Sequence, residues 1–268
     1  MRGIYVLIKG IPPFLASKGN QRMDQDYSNI KILSITLSGS RLYGLDKEDS
    51  DYDYIMTFLD LTPIVLTGVI TSRNMPQLKE GNVETQRIEY KNFIKLALDG
   101  KSSALDVLWC DEEDIRHIEP EIQRLREIRS EFINKKYIHS LIGYAITEKR
   151  KAFGLTTGKL GKTRKEDIEK YGYSTKNASH CIRLLWQGIE LINNKKITIK
   201  LSKDRVEFIH YIRNGKEKAK VVDSNLEKMI SRLQKNQDVN TLPDKPNIDK
   251  IFKVVGEDMV KIYTEEFK

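Results

Sequence analysis

The chain has 268 residues, which is enough for one large domain or two small ones, and its apolar content of 39% is ordinary for a globular protein. No apolar run approaches the 18 or so residues that a membrane span needs. The two cysteines, Cys110 and Cys181, have a spacing that excludes a disulfide framework and a short-spaced zinc site. We therefore expect a cytoplasmic protein that has no contact with membranes.

The net charge of +8 is distributed unevenly along the chain. Residues 1–115 carry 13 Lys/Arg against 17 Asp/Glu, whereas residues 116–268 carry 33 against 21. An acidic first part can hold metal ions, and a basic second part can hold a polyanion. The alternative interpretation is a helical second part whose solvated face is rich in lysine.

The first residues favour an N-terminal extension. The stretch "MRGIYVLIKGIPPFLASKGN" faintly resembles a signal peptide, but Lys9 and two prolines interrupt its apolar run and no clean cleavage site follows. Met23 offers a more ordinary start. We therefore predict that residues 1–22 lie outside the fold.

Strands dominate the predictions for the first part of the chain. Alternating and β-branched residues predict strands that are followed by a helix closed by Gly100. The predicted strands are 29–38, 51–58 and 82–90, a short strand is placed at 63–70, and the helix covers 91–100. The next segment, "SALDVLWC", is compatible with either a helix or a strand.

From about residue 116 the apolar residues recur every three to four positions, which predicts helices. The predicted helices cover 121–133, 135–153, 174–192, 224–236 and 247–267. Residues 154–167, "GLTTGKLGKTRKED", are interpreted as a loop rich in Gly and Lys.

The stretch "LSGSRLYGLDKEDSDYDYIMTF" carries the chemistry-bearing residues. Residues two apart on a strand point to the same face, so Asp51 and Asp53 are expected side by side, with Tyr52 and Tyr54 opposite. Two carboxylates held this close repel each other unless a cation lies between them. Oxygen ligands of this kind suit Mg²⁺ or Mn²⁺.

A turn of small residues, Ser38, Gly39 and Ser40, ends the preceding strand. Glycine lets the backbone approach a ligand closely, and amides at such a turn can cradle phosphate. Arg41 follows the turn and could also reach a phosphate. Turn and carboxylates together predict metal-assisted phosphoryl or nucleotidyl transfer.

This arrangement resembles the nucleotidyltransferase superfamily typified by DNA polymerase β. The resemblance implies two carboxylates on one strand, here Asp51 and Asp53, and a third on a later strand. Glu84 and Glu89 are the candidates for the third, and strand alternation favours Glu84. Glu89 lies at the far end of the strand and could cap the following helix instead. Many relatives carry Asp at the third position.

A longer resemblance is to the RlaP-type branch, whose members are associated with RNA ligases. It is carried by "GSRLYGLDKEDSDYDY", "YKNFIKLALDGKSSALDVLW" and "GYSTKNASHCIRLLWQGIELI". The chain departs from the branch at Ser102 and Ser103, where relatives tend to have Asn-Pro, and at Glu84. The resemblance implies an α+β fold, with a polymerase-β-like nucleotidyltransferase catalytic domain at 23–115 and a helical, basic domain at 116–268.

The predicted helix at 174–192 presents Lys176, His180 and Arg183 on the side opposite its apolar stripe, together with Gln187. Periodicity alone favours an ordinary solvated face. The alternative is a helix across an active-site cleft, with Lys176 and Arg183 facing nucleotide phosphates. The branch resemblance favours this second interpretation. His180 could be a general acid, a base contact or a surface residue.

The resemblance implies an enzyme that transfers an NMP from an NTP to an acceptor hydroxyl and releases pyrophosphate, using two Mg²⁺ (or Mn²⁺) ions. The resemblance also implies that the reaction needs no template. Because the branch is associated with RNA repair, the expected acceptor is the 3′ end of an RNA that resembles tRNA. An RNA ligase is an expected partner. The alternatives are transfer to a protein or small-molecule hydroxyl, and a catalytically silent module that binds nucleotide or RNA.

Overall fold

The computed structural model describes residues 29–68, 75–156, 161–236 and 241–266. The proposed extension, residues 1–22, lies outside these ranges and remains a prediction. In the described ranges, no helix is both long enough and apolar enough to cross a membrane.

A mixed sheet of five strands forms the first part of the described structure. Its strands are β1 (Ile30–Ser38), β2 (Tyr52–Asp60), β3 (Leu78–Glu80), β4 (Val83–Glu89) and β5 (Ile115–Ile118). They lie in the order β3-β4-β2-β1-β5, and β2 is parallel to β4 while the other neighbours are antiparallel. Three predicted strands are thereby confirmed as β1, β2 and β4.

Two short helices interrupt this part of the chain. β1 runs directly into α1 (Gly39–Leu42), and α2 (Pro63–Leu66) follows β2. The short strand predicted at 63–70 was therefore wrong where the chain is described. Proline favours the first turn of a helix because its φ is already helical and its missing N–H needs no partner there.

Two helices follow β4 and pack beside the sheet. They are α3 (Tyr90–Leu98), as predicted, and α4 (Ser102–Trp109), which settles the ambiguous segment as a helix. The side chain of Glu89 caps α3 by accepting hydrogen bonds from the backbone N–H groups of Lys91 and Asn92 at 2.8 and 3.2 Å. This cap fixes the point where β4 ends and the helix begins.

The second part of the chain is helical, as predicted. Its helices are α5 (Pro120–Glu127), α6 (Lys135–Ala152), α7 (Lys162–Tyr171), α8 (Thr175–Asn194), α9 (Lys203–Arg213), α10 (Ala219–Asn236) and α11 (Ile248–Glu266). The predicted loop at 154–167 was wrong from Lys162 onward, where α7 begins. α7 has no buried residue, so its sequence lacks the apolar stripe that would have predicted a helix.

The sheet and the helices share one apolar core. It contains Ile55 from the sheet, Phe93 from α3, Tyr137 from α6 and Leu184 from α8. β5 pairs with β1 through Ser34 and Ile118, so the sheet continues past the predicted domain boundary at 115. The fold is α+β, with helices over one face of a small mixed sheet and a helical C-terminal part.

Candidate active site

The Gly-Ser turn is packed directly against one of the predicted carboxylates. Gly39 begins α1 with φ of +64°. A Cβ atom at Gly39 would lie 2.8 Å from Asp53 Cγ and would overlap Asp53 Oδ2. Only glycine fits this position, both because of its positive φ and because of the carboxylate beside it. The turn and the carboxylate therefore form a single structural unit.

The pairing register places three of the predicted site residues in one row. Ser38 on β1 pairs with Asp53 on β2, and Asp53 pairs with Glu84 on β4. Asp51 is exposed and lies immediately before β2, whereas Tyr54 is buried in the apolar cluster on the opposite face. The structure thus brings Asp53 and Glu84 together at the turn end of the sheet, as strand alternation predicts.

The pKa of Asp53 depends on the charges around it. Burial raises the pKa of its carboxyl group, and the negative charges of Glu84 and Asp51 raise the pKa further. The ammonium groups of Lys176 and Lys79 offset part of this effect. A bound cation would relieve the mutual repulsion among these three carboxylates, so these residues fit a divalent metal site.

Two neighbouring side chains contact the carboxylate of Glu84. Gln77 Nε2 donates a hydrogen bond to Glu84 Oε1, and Lys79 Nζ lies 3.6 Å from Glu84 Oε2. The other candidate, Glu89, is the cap of α3 and pairs with Phe58 at the far end of β2. Of the two glutamates, Glu84 is therefore the one beside Asp53.

A tighter acidic cluster lies elsewhere. Among the residues that the structure describes, the one group of three side chains with ligand atoms within 4.8 Å of one another is Asp111, Glu113 and Asp114. The ammonium group of Lys200 forms ion pairs with all three. A cation of the protein itself thus already neutralises this cluster, and the carboxylates of Asp51, Asp53 and Glu84 are less tightly gathered.

Arg41 holds the loop that connects the turn to β2. Its guanidinium donates hydrogen bonds to the carbonyl oxygens of Ser50 and Asp51 at 2.6 and 3.2 Å, and it pairs with Asp46. It also lies over the ring of Tyr52, 3.8 Å from the centroid. In this structure Arg41 therefore shapes the loop, and its predicted phosphate contact remains a prediction.

α8 carries the predicted polar face toward the turn. Lys176 is exposed, whereas Arg183 is only 3% exposed and lies over the ring of Tyr43, 3.7 Å from the centroid. The guanidinium donates to Gln187 Oε1 at 2.9 Å and lies 2.8 Å from His180 Nε2. For Arg183 and Gln187, which are both buried, the interpretation as a solvated face was wrong.

His180 is held between two charged groups. Its Nδ1 lies 3.5 Å from Glu148 Oε2, while its Nε2 faces Arg183. Burial lowers the pKa of His180, and Glu148 offsets part of this change. A donor at Arg183 requires Nε2 to accept, so the proton of the neutral ring is on Nδ1, toward Glu148.

Two hydrogen bonds join the helical part to the backbone that follows the turn. Leu201 N donates to Tyr43 O at 3.3 Å, and Arg213 Nη1 donates to Leu45 O at 2.9 Å. Together with the stacking of Arg183 on Tyr43, these contacts fix the segment that follows α1. The geometry of the turn therefore depends on residues far along the chain.

A cleft of about 750 Å³ separates the turn from α6 and α8. Ser38 and Gly39 line one end of it, and His180 and Arg183 line the helical side. The other residues that line it are Tyr43, Gln86, Leu96, Lys101, Ser102, Ser103, Asp106, His139, Ser140, Gly143, Tyr144 and Thr147. Ser38 and Gly39 thus share one cavity with His180 and Arg183, whereas the other predicted nucleotide-binding residues, Ser40, Arg41 and Lys176, are not among the residues that line it.

Comparison with known proteins identifies the family. The model of the RlaP family, described as the RNA repair pathway DNA polymerase beta family, matches residues 18–254. The chain belongs to the RlaP family. The match extends from part of the proposed N-terminal extension into α11, so the family covers both the sheet and the helical part.

Other comparisons add little to the RlaP assignment. No curated protein matches the chain. Among solved structures, the chain is similar to a nucleotidyltransferase-like protein from Exiguobacterium sibiricum 255-15, with 8% sequence identity and a TM-score of 0.28. That match covers 78% of this chain and 69% of the other. A TM-score this low carries no argument, so the assignment rests on the family match.

Sequence reasoning missed several residues of the cleft in this RlaP-family chain. The most important is Asp106, a buried acid inside the apolar run of α4, and Gln86 and Lys101 also line the cavity. A lone Asp between apolar residues, as in "ALDVLW", was a usable signal, because a buried acid normally has a partner. Ser102 and Ser103, the departures from the branch, lie in the same wall.

Proposed function

We propose that this protein is a metal-dependent, template-independent nucleotidyltransferase that moves an NMP from an NTP to an acceptor hydroxyl group. The observation that carries this proposal is the row of Ser38, Asp53 and Glu84 across three neighbouring strands, under a turn that only glycine can form. In the reaction, the acceptor oxygen bonds to the α-phosphorus, the bond to the pyrophosphate oxygen breaks, and the hydroxyl proton passes to solvent.

Each group has a defined role in the proposal. Asp51, Asp53 and Glu84 would hold two Mg²⁺ (or Mn²⁺) ions, which supply positive charge at the phosphate and lower the pKa of the acceptor hydroxyl. The backbone amides and hydroxyl groups of the turn, Ser38 to Ser40, would position the β- and γ-phosphates. Lys176 is exposed and close enough to Asp53 to affect its pKa, so it is suited to neutralise phosphate charge.

Arg183 and His180 would act differently from Lys176. Because the guanidinium of Arg183 is buried and bonded to His180 and Gln187, it can shape the cleft wall and add positive potential without direct phosphate contact. His180 lines the cleft and accepts from Arg183, which supports a contact to the nucleotide and does not favour a role as general acid.

We further propose that the acceptor is an RNA 3′ end, tRNA-like, and that an RNA ligase acts with this protein. The family description as an RNA repair pathway supports this assignment. The excess of 33 Lys/Arg over 21 Asp/Glu in residues 116–268 also supports a polyanionic acceptor. The cytoplasm is the expected location for this activity.

The deciding experiment is transfer of radiolabel. The protein is incubated with each α-labelled NTP, with Mg²⁺ or Mn²⁺, and with total RNA or tRNA. An Asp51→Ala/Asp53→Ala variant removes the proposed metal ligands, and Glu48→Ala, an exposed acid in the same loop, is the matched control. We expect label on RNA with the wild type and the control, and none with the double variant.

Three results would change the proposal. Label on the protein itself, or pyrophosphate release without labelled RNA, would assign a protein or small-molecule hydroxyl as the acceptor. Metal-dependent NTP binding without any transfer would indicate a silent binding module. Equal transfer by the wild type and the double variant would remove the carboxylate row from the reaction.

A further inference from the structure

The cleft is large enough for more than the phosphates of a nucleotide. At about 750 Å³ it lies within the range of about 300–1,000 Å³ for small-molecule sites. Ser38 and Gly39 form one end, and the aromatic pair of Tyr144 and His180, with ring centroids 4.9 Å apart, forms part of the opposite wall. A nucleotide whose phosphates lie at the turn can therefore extend its base into this cavity.

Asp106 lies in the wall of this cavity and carries a hydrogen-bond acceptor that is unpaired among the described residues. The side chain lines the cleft and the residue is 3% exposed. Its Oδ2 accepts a hydrogen bond from the hydroxyl group of Tyr43, while its Oδ1 is buried and has no hydrogen-bond partner among the residues that the structure describes. Buried carboxylate oxygens are rarely left without a partner, because the lost hydration is costly.

The nearby guanidinium of Arg183 does not supply the hydrogen bond that Asp106 Oδ1 lacks. Arg183 lies close enough to affect the pKa of Asp106, but its guanidinium is committed to Gln187, His180 and the ring of Tyr43. Burial raises the pKa of Asp106 to about 6, and Arg183 and the Tyr43 hydrogen bond oppose that rise. Arg183 and Tyr43 thus favour the ionised carboxylate, which can only accept hydrogen bonds.

We propose that Asp106 is a specificity-determining residue whose Oδ1 accepts a hydrogen bond from the exocyclic amino group of the NTP nucleobase. This inference rests on the proposed nucleotidyltransferase function. Adenine, cytosine and guanine carry such an amino group, and a carboxylate is a good acceptor for it. Uracil presents its N–H between two carbonyl oxygens, which the carboxylate repels. UTP is therefore expected to be the weakest of the four ligands.

The test compares NTP affinities in the presence of Ca²⁺, measured by calorimetry at pH 7.5. Each amino-bearing NTP is paired with an analogue that lacks only the amino group: purine riboside triphosphate for ATP, pyrimidin-2-one riboside triphosphate for CTP, and ITP for GTP. For the preferred NTP, wild-type protein should bind the analogue about 10- to 100-fold more weakly, as expected for a lost hydrogen bond to a charged group.

The variant Tyr43→Phe/Asp106→Leu removes both members of the buried pair, which avoids leaving a new unpaired group. It should bind the preferred NTP and its analogue equally. The matched control is Tyr43→Phe, which keeps Asp106 Oδ1 and should keep the discrimination. Asp106→Asn is a nearly isosteric second variant in case the double variant does not fold. It should reduce the discrimination severalfold, since a neutral acceptor makes a weaker bond.

The inference is overturned if the double variant discriminates as well as Tyr43→Phe does, or if UTP binds wild type most tightly. It is also overturned if Asp106 affects affinity for the 3′-terminal base of RNA and not for the NTP. No binding of any NTP to the wild type would instead remove the proposed function itself, and the inference with it.

Discussion

The turn end of the sheet (the sheet wall) and the helical side of the cleft (the helix wall) both carry ionisable side chains, but they hold them in different ways. On the sheet, Asp53 and Glu84 face each other across neighbouring strands, and their charges raise the pKa of Asp53. On the helices, Arg183, His180 and Glu148 form a chain of hydrogen bonds and ion pairs. The sheet wall stores repulsion that a bound cation can relieve, whereas the helix wall satisfies its own charges.

The variant Asp53→Asn is expected to have the largest effect on the difference between the two walls. Transfer activity should fall about 1,000-fold, because a lost metal ligand costs several kcal/mol of transition-state stabilisation. The free energy of unfolding should stay equal or rise, because the variant removes a half-buried, repelled charge. Activity comes from the radiolabel assay and stability from urea unfolding at pH 7.5.

The outcome that contradicts this prediction is a loss of stability of the same size as in a core variant. Glu80→Gln serves as the control, since this exposed acid follows Lys79 on β3, pairs with Val83 and therefore points to the face of the sheet opposite Glu84. It should change neither activity nor unfolding.

Gly39→Ala should damage the same wall through its backbone. The new Cβ would overlap Asp53, and φ of +64° is unfavourable for alanine, so we expect a loss of about 1–3 kcal/mol in stability. Activity should fall about 100-fold because the carboxylate must move. Gly44→Ala is a matched control, with a similar φ of +70° but no atom of the described residues within 4 Å of the methyl group it adds. If both variants lose activity equally, the packing against Asp53 is not what matters.

The helix wall makes a prediction about pH. Although burial raises the pKa of Glu148, hydrogen bonds from His180, Lys151 and Asn177 lower it to about 2, below the ordinary value of 4.5. A depressed folded-state pKa means that the ionised group stabilises the fold above about pH 5, and that this contribution is lost as the pH falls toward 2.

Urea unfolding of the wild type and of Glu148→Gln between pH 3 and pH 7 tests this expectation. The wild type should be more stable by about 2 kcal/mol at pH 7, and the difference should shrink as the pH falls below 4.5. A difference that stays constant with pH would show that the carboxylate charge of Glu148 is not what holds the helix wall together.

Much of the sheet wall was predictable because its signals are local. Strand alternation placed Asp53 on β2 beside Glu84 on β4, whereas Asp51 lies just before β2. The helix wall was harder, because its partners come from distant segments: Tyr43 and Asp106 are 63 residues apart. Periodicity marked Arg183 as polar, yet no local pattern reveals that it is buried against Tyr43. α7 was missed because it buries no residue.

The smallest expected effect is at Lys200. Its partners Asp111 and Glu113 are exposed and screened by solvent, whereas Asp114 is buried, so Lys200→Met should cost about 1 kcal/mol of stability. Nucleotidyl transfer should not change, since this cluster lies outside the proposed site. A large loss of transfer with intact folding would instead assign the second acidic group to the reaction.

The hydrogen bonds from Leu201 and Arg213 to the backbone after the turn have a consequence for folding during translation. The whole sheet lies within the first 118 residues, so it leaves the ribosome long before these two residues are made. A nascent chain can then pair its strands while the segment around Tyr43 still lacks its later contacts. We expect the segment after the turn to reach its final geometry only in a late step of translation, once both residues have been made.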